Sequence, residues 1–136
     1  MLIPDFAPEE MDTHIEKIPN DTSKKNTNAN GASVRLTYSD KVTIDPQKET
    51  ASLYFGNPGC SNQNMILQIM IHEKAIATSA LIPAGYQLKT IDLLPDAASV
   101  LQTGNYNGKF MIYYYDQESD ERATVNTEIP ITVTVE

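Results

Sequence analysis

Gly104-Asn105-Tyr106-Asn107-Gly108-Lys109-Phe110-Met111-Ile112-Tyr113-Tyr114-Tyr115 opens the stretch that decides the fold class. Side chains alternate faces along a strand, so Tyr106, Gly108, Phe110, Ile112 and Tyr114 share one face and Asn107, Lys109, Met111, Tyr113 and Tyr115 the other. The polar loop Asp116-Gln117-Glu118-Ser119-Asp120-Glu121 then leads into a hairpin partner. There Ala123, Val125, Thr127, Ile129, Ile131, Val133 and Val135 all fall on odd positions, against Thr124, Asn126, Glu128, Pro130, Thr132, Thr134 and Glu136. Pro130 has no N–H for a ladder and marks a sheet edge or a switch between sheets.

The same period of two runs back through the chain. Val34, Leu36 and Tyr38 alternate with polar residues, and Val42 and Ile44 continue the pattern past Ser39-Asp40-Lys41. Ala51, Leu53 and Phe55 form the next inward set, closed by the turn Gly56-Asn57-Pro58-Gly59. Met65–His72 is apolar on both faces, which places it centrally in a sheet. His72-Glu73-Lys74 connects it to Ala75–Ser79, and a strand over Gln87–Leu94 follows the turn Pro83-Ala84-Gly85. The one helix candidate is Pro95–Leu101, a turn or two. Seven to eight strands in this length predict an all-β, immunoglobulin-like Greek-key sandwich over residues 32–136. Tyr106, entering a long strand after a Gly turn, stands where such a sandwich carries its tyrosine corner; the plainer alternative is a tyrosine packed at a strand start.

Residues 1–31 differ. They carry Pro4, Pro8 and Pro19, the acidic residues Asp5, Glu9, Glu10, Asp12 and Glu16, and the run Asn20–Gly31, which is too polar to offset its ordering entropy. The expectation is a disordered tail with a flexible linker over 20–31. The apolar piece Leu2–Pro8 has the alternatives of lying on the domain or binding a partner.

The 136-residue chain has a net charge of −8 and a single cysteine. That balance opposes phosphate-backbone binding, so no nucleic-acid partner is expected. Lone Cys60 excludes an internal disulfide framework and a Cys-rich metal site. No run approaches the roughly 18 apolar residues of a spanning helix.

Chemistry is thinly represented. His14 lies in the tail and His72 at a hairpin facing solvent, and neither accompanies a nucleophile motif. Cys60 has no cationic neighbour to lower its pKa. Asp116, Glu118 and Asp120 form the one dense carboxylate cluster, which lacks calcium-loop spacing and reads as a solvated tip. A Lys–Asn cross-link would need buried partners, whereas Lys41 and Lys48 lie at turns and Asn126 and Glu128 on an outward set. No enzyme, cofactor or metal is therefore expected. The remaining candidates are Tyr54, Met111, Tyr113 and Tyr115, whose outward faces suit protein or sugar contacts. The alternative is that this face packs on the tail or on neighbouring Thr and Asn side chains.

The phrases Val42-Thr43-Ile44-Asp45, Ala51-Ser52-Leu53-Tyr54-Phe55-Gly56-Asn57-Pro58, Ile82-Pro83-Ala84-Gly85-Tyr86, Gly108-Lys109-Phe110 with Tyr113-Tyr114-Tyr115-Asp116, and Val125-Asn126-Thr127-Glu128-Ile129-Pro130 resemble a group of small extracellular proteins of Gram-positive gut bacteria. The resemblance implies one β-sandwich held by a polar linker behind an N-terminal membrane anchor, which this chain does not show. It brings no catalytic signature. The expected function is a non-enzymatic, extracellular surface module that binds a protein or another copy of itself. A carbohydrate-binding module using exposed Tyr side chains is an alternative, as is an assembly subunit whose residues 1–19 add a strand to a neighbour's sheet edge.

Overall fold

A computed structural model describes residues 3–8, 10–18, 37–58, 63–95, 97 and 101–136. Nine strands follow in chain order: β1 (Ile15–Lys17), β2 (Thr37–Tyr38), β3 (Lys41–Asp45), β4 (Thr50–Asn57), β5 (Gln63–Ile71), β6 (Lys74–Thr78), β7 (Tyr86–Asp92), β8 (Gly104–Asp116) and β9 (Arg122–Val135). They form one hydrogen-bonded path, β1-β7-β4-β3-β9-β8-β5-β6, with β2 also on β4. Every pairing is antiparallel except β3 with β9, which runs parallel from Lys41↔Thr132 to Ile44↔Val135. The path curls at that parallel joint. It becomes an immunoglobulin-like Greek-key sandwich, with β1-β7-β4-β3 as one layer and β9-β8-β5-β6 as the other.

The core is the inward set of each layer. Val42, Ile44, Ala51, Leu53, Phe55, Leu88 and Ile91 face Leu67, Ile69, Phe110, Ile112, Ile129, Ile131, Val133 and Val135 in one buried cluster. Phe55 and Phe110 meet edge to face across it, ring centroids 6.4 Å apart. Strand β5 lies between β8 and β6, the central place its two apolar faces require. The His72-Glu73 turn has φ values of 52° and 62°, the left-handed pair of a two-residue hairpin whose twist suits β5 and β6.

Pro130 is both an edge residue and a switch. Thr132, of the same parity, turns its N–H away from β8 to donate to the Asp40 carbonyl at 2.8 Å. At position 130 that direction faces no strand among the described residues, so the missing N–H orphans nothing. Lower in β9 the alternation breaks. The register passes from Tyr113↔Asn126 to Tyr115↔Arg122, so residues 123–125 oppose Tyr114 alone. The uniform odd-position face expected from Ala123 onward therefore begins above this bulge.

Tyr106 closes on its own upstream turn. Its hydroxyl donates to the Gln102 carbonyl at 2.9 Å and accepts the Gln102 N–H at 3.1 Å, the back-bonding of a tyrosine corner. Tyr106→Phe is expected to lower unfolding free energy by about 1 kcal/mol, the net worth of such bonding. A shift of the urea midpoint at unchanged slope is the check.

The tail is where structure and expectation part. Residues 3–8 and 10–18 lie against the domain instead of forming a disordered leader. Ile15, Ile3 and Ala7 pack on buried clusters, and the N–H groups of Ala7, Asp12 and Ile18 donate to carbonyls of the domain. The expected linker 20–31, Val34, Leu36 and Cys60 lie outside the described residues, as does most of the Pro95–Leu101 helix candidate.

Candidate functional site

The N-terminal segment crosses from one layer of the sandwich to the other. At its far end Ile15, Glu16 and Lys17 pair antiparallel with Leu88, Gln87 and Tyr86 at the edge of β7, and the Ile18 N–H donates to the Gly85 carbonyl at 3.0 Å. Glu16 accepts from Gln87 Nε2 at 3.0 Å and pairs with Lys89 at 3.2 Å. In the middle Asp12 joins the segment to the chain before β7. Its Oδ2 accepts the Ala80 N–H and its Oδ1 the His14 N–H, both at 2.9 Å, while its own N–H donates to the Leu81 carbonyl at 3.0 Å. His14 Nε2 lies 3.0 Å from Asp92 Oδ1.

At the near end residues 3–8 cover the outer face of β5 and β8. Ile66, Leu81 and Tyr115 form a second buried cluster, separate from the core, against which Ile3, Ala7 and Tyr113 pack. The Tyr115 hydroxyl donates to the Pro4 carbonyl at 2.7 Å. The Ala7 N–H donates to the Asp120 carbonyl at 2.7 Å, and the Arg122 N–H to the Asp5 carbonyl at 2.8 Å. The Arg122 guanidinium also pairs with the Asp5 carboxylate at 3.2 Å. Burial, opposed by the Arg122 charge, pushes the Tyr115 phenol up, so it remains a donor at neutral pH.

This arrangement corrects the outward aromatic face expected of Tyr54, Met111, Tyr113 and Tyr115 and follows the alternative in which that face packs on the tail. Tyr115 is fully buried and Met111 is 9% exposed. Tyr113 is half-buried, its hydroxyl donating to Gln68 Oε1 at 3.2 Å. Tyr54 is half-buried on β4, on the opposite outer face of the sandwich. The four do not assemble into one exposed platform, because the chain's own N-terminal segment covers the end of the β8 face. Reading β8 alone missed the groove, since Ile66 and Leu81 lie on other elements. The apolar second face of β5 was the signal that could have found it.

The carboxylate loop is committed to its own turn. Asp116 Oδ1 accepts the N–H groups of Ser119 at 3.0 Å and Glu118 at 2.7 Å, which hold its carboxyl below the usual range. Among the described residues no three His, Cys, Asp or Glu side chains converge as a metal site, so Asp116, Glu118 and Asp120 do not gather into one. A depression of about 290 Å³ lined by His72, Glu73, Asn107 and Lys109 lies at the β5–β6 hairpin. Bonds to Glu128 and then Glu73 raise the Lys109 pKa and keep it a cation, unsuited to act as a base.

The docking of β1 is pH-dependent in sign. Hydrogen bonds from Lys89 and then Gln87, helped by the Lys89 charge, hold the Glu16 carboxyl below its ordinary value. A depressed carboxylate stabilises docking above its free pKa and loses that contribution as pH falls through the docked value. The group is exposed, so the effect is small. Glu16→Gln is expected to flatten the loosening of β1 seen by amide chemical shifts as pH falls below the ordinary carboxylate range.

No family model and no curated protein matches this chain. Two solved Escherichia coli structures are similar. The AggA major subunit of aggregative adherence fimbriae type I is 12% identical, over 76% of this chain and 95% of that one, with a TM-score of 0.37. The CooA pilin subunit of enterotoxigenic Escherichia coli is 13% identical, over 76% of this chain and 99% of that one, with a TM-score of 0.32. Both are fimbrial subunits.

Proposed function

We propose that the chain is a non-enzymatic β-sandwich module of the cell surface that assembles with protein partners, itself included, through an extended N-terminal segment and the sites that receive it. The observation that carries this reading is Ile15–Lys17 added as a strand to the edge of β7. Strand addition at an exposed edge is a general mode of protein recognition: backbone bonds supply affinity and side-chain pockets specificity.

The other edges favour this receiver. The open side of β9 is interrupted by the bulge at 123–125 and by Pro130. The outer side of β6 is already bridged, the Leu94 N–H donating to the Ile76 carbonyl at 2.8 Å. The edge of β7 is the long edge whose occupant arrives on a separate length of chain. Nothing in the geometry favours the sugar-binding alternative, because its tyrosines are covered or dispersed.

Removing residues 1–18 is expected to leave β3–β9 folded, with a β-type circular dichroism spectrum, and to create saturable binding for a peptide of residues 1–18. A folded truncated chain that does not bind the peptide contradicts the proposal. Surface location is tested separately by fractionating native cells, where recovery in the cytoplasm contradicts it.

A further inference from the structure

Resting on that reading, we infer that the groove over Tyr115 recognises an extended, acid-bearing peptide of the type Ile-Pro-Asp-Phe-Ala, and that its occupant in trans is the N-terminal segment of a second copy of this chain. The groove matches the segment feature by feature. Ile66, Leu81 and Tyr115 supply an apolar floor for Ile3 and Ala7. Tyr115 donates to the Pro4 carbonyl, a group that proline retains, and Arg122 takes Asp5 by both backbone and guanidinium. In a chain of net charge −8, a cation set against the segment's acid also selects for it.

Connectivity permits the exchange. Ile18 and Thr37 are joined by the 18 residues 19–36. Their contour is roughly 60 Å, against a radius of gyration of roughly 13 Å for a domain of about a hundred residues. The segment therefore reaches its own groove or a neighbour's, and both dockings make the same contacts. The balance is set by concentration: a ligand on the same chain meets its own site at an effective concentration on the order of millimolar, so closure dominates in dilute solution and exchange where copies are crowded. The docked segment leaves Phe6 60% and Met11 52% exposed, apolar surface that a second copy brought alongside would cover.

Phe6 and Glu121 are antiparallel bridge partners, which places their Cα atoms at a spacing a disulfide spans. In a Cys60→Ser background, full chains bearing Phe6→Cys and full chains bearing Glu121→Cys are mixed and oxidised at a series of concentrations up to about millimolar. The expected result is a disulfide between the two chains whose yield rises with mixing concentration. A yield no greater than that of a Lys48→Cys and Glu121→Cys control pair overturns the inference. If a Phe6→Cys/Glu121→Cys double variant still closes within one chain, only self-exchange is lost, and assembly with other protein partners stands. If it does not close either, the docked segment is wrong and both fall.

Discussion

Phe110→Ala is expected to lower unfolding free energy by about 4 kcal/mol, the middle of the range for emptying a buried phenylalanine site. Phe110 is fully buried, sits between Ile69 on β5 and Ile129 on β9, and presses its ring edge to face on Phe55 of the opposite layer. Truncation therefore opens a cavity at the point where the two layers meet, with strands on both sides unable to close it. Domains of this size are stable by about 5–15 kcal/mol in total, so the variant should stand near the threshold of folding. Urea unfolding is the measurement. Tyr38→Ala, at a position 43% exposed, is the control and should shift stability by about 0.5 kcal/mol or less.

Gly108→Val acts in the opposite direction, by adding volume where none exists. A Cβ at 108 would lie 2.7 Å from the Met70 carbonyl oxygen and 3.1 Å from Val133 Cγ2. The first obstacle is backbone of the neighbouring strand, so no rotamer change relieves it. Overpacking of this kind costs about 1–3 kcal/mol, and β-branching puts Val at the upper end. The expected outcome is a loss of about 3 kcal/mol in the same urea assay. Asn107→Val, one residue away on the exposed face, should be close to neutral.

The contrast between positions 107 and 108 shows what was legible in the sequence. The period of two in β8 and upper β9 assigned Phe110, Ile112, Ile129, Ile131, Val133 and Val135 to one face, and these residues are the core. Periodicity works there because burial on one face is a local property of each strand. It fails between residues 123 and 125, where the bulge shifts the register and only the partner strand reveals the extra residues.

The site was harder for a physical reason. Parity correctly turned Tyr115 outward from the core, but exposure depends on what lies above a face. Here the cover is Pro4, 111 residues away in the chain. Composition had marked the leader as too polar to order itself. It orders because the domain supplies what it lacks: carbonyls at 81 and 85 for its N–H groups, Lys89 and Arg122 for its carboxylates, and an apolar face for Ile3 and Ala7. Such a segment gains its structure from the surface it meets, which is the property a strand-donating element requires.

Amide hydrogen exchange on the intact chain reads the docking of that segment one N–H at a time. The N–H groups of Ala7, Asp12 and Ile18 donate to Asp120, Leu81 and Gly85, and those of Ala80 and Arg122 donate back to Asp12 and Asp5. Slowed exchange is expected at all five, with Ala80 and Arg122 losing protection when residues 1–18 are removed. Exchange of Ala7, Asp12 and Ile18 at the rate of an unstructured peptide would rule out the docked segment.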